Sequence, residues 1–188
     1  MPPKIKIAKE DIVNAALEMI RSGGEATVNA RSIAAALGCS TQPIFSNFAT
    51  MEDLFSSVLA AAYARYLGFL QNEVESEKYP PYKATGMAYI RFAKEERELF
   101  RLLFMRDRTG EDTSPPPDFE EAAQMIVRAN GLSLEAARLL HLELWTCVHG
   151  IGTMLATSFL ALDEELVSRI LSDVYLGVVN RFSKEERQ

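Results

Sequence analysis

Apolar side chains recur at helical spacing from the first residues of this 188-residue chain. Ile12, Val13, Ala16, Leu17 and Ile20 share one face and predict an amphipathic helix over 9–21. Ser22-Gly23-Gly24 ends it, since glycine readily takes the left-handed turn after a helix. Asn29 is placed to cap a short second helix with Ile33, Ala34 and Leu37 inward, stopped by Gly38. Ser40 is placed to cap a third helix over 41–47, with Ile44 and Phe48 one turn apart. Pro43 fits there, because first-turn amides have no intrahelical partner. With that amide missing, Ser40 is expected to cap through the amide of Gln42. Thr50 and Asp53 have capping-box spacing and open a long fourth helix over 51–76, which buries Leu54, Val58, Ala62 and Leu70.

Tyr79-Pro80-Pro81-Tyr82 interrupts the pattern. Further helices are expected over 82–94, 96–106, 119–130, 134–160 and 163–182. Arg108 to Asp118 reads as a loop, because its three consecutive prolines stop any helix from crossing. No two β-branched, period-2 runs are joined by a hairpin signal. The expected class is all-α, with about nine helices. On the last one, Leu166, Val167, Ile170, Leu171, Val174, Tyr175, Val178 and Phe182 cover half the circumference, wider than the ~100° stripe of a surface helix. The helix before it carries Leu139, Leu142, Leu144, Trp145, Val148, Ile151, Leu155 and Phe159. Two readings stand side by side: an internal bundle core, or a dimer interface that includes Leu155, Phe159, Val167, Leu171, Val174 and Val178.

Composition narrows the class. Apolar residues at 48% and charged residues at 24% are ordinary for a globular protein. Two cysteines, Cys39 and Cys147, cannot build a disulfide framework, so a reducing compartment is expected. The opening MPPKIKIAKE has no signal-peptide core, and no apolar run approaches the ~20 residues of a membrane span. The expectation is a cytoplasmic protein without a membrane partner. The net charge of −6 argues against nucleic acid until it is divided. Residues 1–50 hold five bases and four acids, net +1, while 51–188 hold fifteen and twenty-two, net −7. A mildly basic head precedes an acidic body, and DNA binding needs only local positive charge.

The head has the anatomy of a helix-turn-helix: a short helix with small residues Ala34, Ala35 and Ala36, a Gly-Cys-Ser turn, and a second short helix. In such units the second helix enters the major groove. Its outer face is expected to be Thr41, Gln42, Phe45, Ser46 and Asn47, with Gln and Asn suited to paired contacts with adenine. A tight helix pair inside an all-α core is the plainer alternative.

Asn29-Ala30-Arg31-Ser32-Ile33-Ala34, Leu37-Gly38-Cys39-Ser40, Pro43-Ile44-Phe45-Ser46-Asn47-Phe48 and Glu52-Asp53-Leu54 resemble, in order and spacing, the DNA-binding head of the tetracycline-repressor (TetR) family. The resemblance implies nine helices, a helix-turn-helix domain over 1–50, and a ligand-binding and dimerisation domain over 51–188. Residues 51–76 would be the connecting helix, and the last two helices would form the dimer. It also implies that Arg31 meets phosphate and that Ser40 and Thr50 join the DNA-contacting set. Phe45 stands where members commonly have Tyr, and Met51 where they often have Lys; Lys4 and Lys6 can compensate as an N-terminal arm. Trp145 to Gly150 and Tyr89 to Phe92 further resemble a branch with a Trp…His-Gly signature.

Other chemistry is sparse. His141 and His149 lie along one helical side, but Cys147 is about 160° away from His149, and two ligands make a poor metal site. Buried, hydrogen-bonded histidines are the expectation. Gly150-x-Gly152 reads as close helix packing, and Glu95-Glu96-Arg97-Glu98 as a solvated face or helix junction. No nucleophile set is evident, so no enzyme, cofactor or metal is implied. Tyr63, Tyr66, Met87, Phe92, Phe100, Phe104, Met125, Trp145, His149 and Met154 suit either core or an apolar ligand pocket. The expected function is a homodimeric regulator, a repressor, that binds a palindromic operator and is released by a small apolar or amphipathic effector. The alternative is a helical small-molecule-binding or interaction protein that has lost its DNA function.

Overall fold

The computed structural model describes residues 7–112, 114 and 117–185, and the regular structure among them is helical. α1 is Lys9–Gly23, α2 Ala30–Ala36, α3 Gln42–Asn47, α4 Met51–Glu75 and α5 Pro81–Glu95. α6 is Arg97–Phe104, α7 Pro117–Asn130, α8 Leu134–Ala156 and α9 Glu164–Glu185, and a 3-10 turn covers Glu25–Thr27. Nine α-helices among the described residues match the expected all-α class. Lys4 and Lys6 lie outside the described residues.

The chain forms two compact units. One comprises residues up to Leu67 together with Glu96–Arg106; the other comprises Gly68–Glu95 and the residues from Asp107 onward. α4 contributes to both.

In the first unit, α1 ends where predicted by its glycines: Gly24 has φ +82°, and its amide reaches the Ile20 carbonyl at 2.8 Å. α2 starts on a reciprocal box. Asn29 Oδ1 accepts from the Arg31 and Ser32 amides at 3.0 Å each, and Ser32 Oγ accepts from the Asn29 amide at 2.9 Å. Thr50 and Asp53 form the second box at the start of α4, with both bonds at 3.1 Å. The core of this unit is Ile12, Ile20, Ile33, Ile44, Leu54, Val58 and Leu99, all essentially without exposure. Each such side chain contributes roughly 1.5–3 kcal/mol by leaving water.

The expected Ser40 cap is not formed. α3 begins at Gln42, Thr41 has helical backbone angles (φ −72°, ψ −13°), and no side-chain oxygen caps the helix. A capping side chain needs an extended cap residue, which a helical Thr41 does not provide. The Thr41 carbonyl instead takes the Ile44 and Phe45 amides at 3.1 and 3.3 Å.

In the second unit, Ala123, Ile126, Leu132, Ala137, Leu140, Leu144 and Phe182 form one cluster, against which Tyr82, Val174, Tyr175, Val178 and Val179 pack. α7 begins two residues before its predicted start, because a proline at the first helical position loses no bond. α8 stops at Ala156, four residues earlier than its pattern predicts. Ser158 there has φ +57° and turns the chain, leaving Phe159 75% exposed.

Candidate DNA-reading interface

α2, its turn and α3 form the helix-turn-helix unit that the sequence predicts. Gly38, at φ +63°, supplies the left-handed residue of the turn. The Cys39 amide closes the turn on the Ala34 carbonyl at 2.9 Å. Ile44 and Phe48 hold α3 from beneath, both buried, and Lys9 Nζ lies 4.7 Å from the Phe48 ring centre. This anchoring fixes which side of α3 meets solvent.

That outer side carries exposed Gln42, Phe45 and Ser46, with half-buried Thr41 and Asn47 at its margins. Phe45 is 50% exposed. Ser40 and Thr50 flank α3 and are exposed. Arg31 is exposed on α2 and forms no ion pair among the described residues. Ser46 and Asn47 differ from a free reading face. Ser46 Oγ donates to the Gln42 carbonyl at 2.9 Å, and Asn47 Nδ2 to the Pro43 carbonyl at 2.8 Å. The Ile7 carbonyl is a second, longer acceptor for Asn47 at 3.5 Å. Back-bonding of short polar side chains four residues along a helix is common, and the Gln42–Ser46 and Pro43–Asn47 spacings carry that signal.

Of the two expectations for Glu95-Glu96-Arg97-Glu98, the helix junction holds: α5 ends at Glu95 and α6 begins at Arg97. Glu96, only 7% exposed, is not part of a solvated face. Arg21 grips its carboxylate through Nε and Nη2, both at 2.7 Å, and Arg65 through Nε at 2.8 Å and Nη2 at 2.6 Å. Burial pushes the carboxyl up, but the bonds from Arg21 and Arg65 outweigh it and hold the group below the usual carboxylate range. α1, α4 and α6 are thereby tied around one charge.

The pocket candidates divide between the units. In the first, Tyr66 and Phe100 are buried, and Tyr63 and Phe104 partly so; Tyr66 meets the Phe104 ring edge-on at 5.3 Å. In the second, Met87 and Phe92 are buried, and Met125, His149 and Met154 are half-buried. Trp145 is 40% exposed and stacks on His149 with centroids 5.2 Å apart. Both histidines pair with tyrosines from α5. Tyr82 Oη lies 2.9 Å from His141 Nδ1, and Tyr89 Oη 2.8 Å from His149 Nδ1. Burial pushes His141 down to about 4 and lowers His149 as well. Both phenols are raised by burial. At neutral pH the two pairs are therefore uncharged.

Of the interface candidates, Leu155, Val167 and Leu171 are buried within the protomer, while Val174 and Val178 pack partly against its own core. Phe159 alone of that set is exposed; other exposed apolar residues on α8 and α9 are Leu139, Leu142, Trp145, Leu166 and Leu176. Among the described residues no cluster of three or more potential ligands could hold a metal ion, and no helix is long and apolar enough to cross a membrane.

Residues 82–174 match the model of the tetracyclin repressor-like C-terminal domain. No curated protein matches the chain. Among solved structures, a member of the TetR family from Streptomyces coelicolor A3 aligns with 88% of this chain and 96% of its own length, at 19% identity and a TM-score of 0.57. AmtR of Mycobacterium smegmatis aligns with 95% of this chain and 88% of its own, at 19% identity and a TM-score of 0.47. At 19% identity the likeness to the Streptomyces coelicolor protein is one of fold.

Proposed function

The chain belongs to the tetracycline-repressor family, a family of transcriptional regulators rather than enzymes, and from that premise we propose that it is a homodimeric repressor that binds a palindromic operator and is released by a small effector. The observation that carries the reading is the anchored α3: Ile44 and Phe48 are buried beneath it, and Gln42 and Phe45 stand out from it. A fixed helix with an exposed polar and aromatic face is what major-groove entry requires. Arg31, exposed on the preceding helix, is the phosphate contact that orients it. Residues 1–50 are the reading head and 51–188 the effector and dimerisation body.

The partner protomer docks on α8, α9 and the turn that joins them, whose exposed apolar residues include Phe159, Leu166 and Leu176. Two heads then address half-sites about one turn, ~34–36 Å, apart. The effector is apolar or amphipathic and is held by body residues such as Met87, Trp145, His149 and Met154. It acts by a population shift: it binds more tightly to the dimer whose head spacing does not fit the operator. α4, which contributes residues to both units, is the lever.

The test is selection of genomic fragments by the full-length protein, followed by titration of the enriched duplex. Enrichment of a two-fold-symmetric sequence bound by two protomers supports the reading. An empty selection contradicts it and favours a helical small-molecule binder without DNA function.

A further inference from the structure

Resting on the reading that α3 enters the major groove, we propose that Gln42 and Phe45 are the base-reading pair, and that they select an A·T-containing step in each half-site. Gln42 takes an adenine edge, and the Phe45 ring takes a thymine methyl.

Two of the other outward residues are engaged within the protein. Ser46 Oγ donates to the Gln42 carbonyl, and Asn47 Nδ2 donates to the Pro43 carbonyl. The Asn47 NH2 group has two hydrogens, and the Pro43 and Ile7 carbonyls, at 2.8 and 3.5 Å, take both of them. A paired contact with adenine needs that NH2 group on the base. Asn47 therefore shapes the end of α3 and does not read. Gln42 is exposed, and its side chain makes no hydrogen bond among the described residues, which leaves its amide for a base.

Phe45 offers neither donor nor acceptor. In the major groove the single base feature an apolar ring distinguishes is the thymine C5-methyl group. Phe45 follows Gln42 by three positions, so the two Cβ atoms are neighbours on one helix face, about 5–6 Å apart. Base pairs stack at ~3.4 Å, and side chains so placed reach adjacent or next-adjacent pairs. Anchoring of the helix by Ile44, buried between them in sequence, keeps both on the outer side.

The experiment uses full-length protein and duplexes enriched from a random library. Each thymine of the enriched half-site is replaced by uracil, which removes only the methyl group, and each adenine by 7-deazaadenine, which removes only N7. One uracil position is expected to weaken wild-type binding about fourfold, as for one buried methyl. One 7-deazaadenine position is expected to weaken it about tenfold. The uracil effect should vanish in Phe45→Ala and partly survive in Phe45→Leu, and the 7-deazaadenine effect should vanish in Gln42→Ala. An enriched sequence indifferent to uracil at every thymine overturns the proposal while leaving sequence-specific DNA binding intact. So does a uracil penalty undiminished in Phe45→Ala. Enrichment of no sequence overturns both this proposal and the reading beneath it.

Discussion

Arg21 at the end of α1 and Glu96 at the start of α6, 75 positions apart in sequence, are joined by two bonds of 2.7 Å. Arg65 completes the clamp from α4. Removing the carboxylate strands two guanidiniums, but both are partly exposed, so water screens part of the loss. Glu96→Ala is expected to cost about 2 kcal/mol, below the range for a fully buried pair. The pH dependence has a definite sign. The folded-state pKa of Glu96 lies below its unfolded value, so its contribution is present above the unfolded value and is lost as pH falls through the folded one. Melting curves of wild type and Glu96→Gln should differ at neutral pH and converge in acid below about pH 4.

The two candidate caps of the head should behave differently. Asn29→Ala removes an oxygen that satisfies two amides and should cost about 1 kcal/mol. Ser40 caps nothing, and Ser40→Ala should change stability by less than about 0.5 kcal/mol. Urea denaturation of the two variants checks this.

Ile44 and Phe45 are neighbours in sequence with opposite duties. Ile44 is fully buried, and Ile44→Ala should destabilise the protein by about 2–4 kcal/mol. Phe45 is half-exposed, and Phe45→Ala should leave stability within about 0.5 kcal/mol. The same denaturation series separates a folding residue from a reading residue.

Burial of His141 beside Tyr82 predicts a second acid sensitivity. Its folded pKa of about 4 lies below the ordinary histidine value, so protonation favours the unfolded chain. The stabilisation is complete above about pH 6.5 and declines as pH falls toward 4, by at most about 3 kcal/mol. His141→Gln keeps a partner for the Tyr82 hydroxyl and does not titrate. Its melting temperature should fall less than that of wild type between pH 6.5 and 4.

Local chemistry was legible in the sequence; long-range partnership was not. Asn29, and Thr50 with Asp53, cap helices as their spacing predicts, because the bonds span only two or three residues. Ser40 misled because the backbone angles of Thr41, not the residue types, decide whether a cap forms. Glu96 was unreadable in its acidic run because its partners are 75 and 31 positions away. From α8 through α9, periodicity marks apolar residues without saying whose core they fill: Leu155, Val167 and Leu171 fill the protomer's own, and Phe159, in the turn between the two helices, does not.

Arg31 tests how the head meets the DNA backbone. If it neutralises a phosphate on each half-site, Arg31→Ala should weaken binding to selected and scrambled duplexes by the same factor. It should also lower the salt slope by about two for a dimer. A loss confined to the selected duplex would instead assign Arg31 to base reading.

Whether α3 reads DNA by sequence is decided by a single titration. Full-length protein is titrated against the duplex enriched from its own genome and against a scrambled duplex, at physiological salt, with Gln42→Ala alongside. Wild type should prefer the enriched duplex by about 10³-fold or more, with two protomers bound per duplex, and Gln42→Ala should lose at least about tenfold of that preference. Equal affinity of wild type for both duplexes would contradict sequence reading by α3.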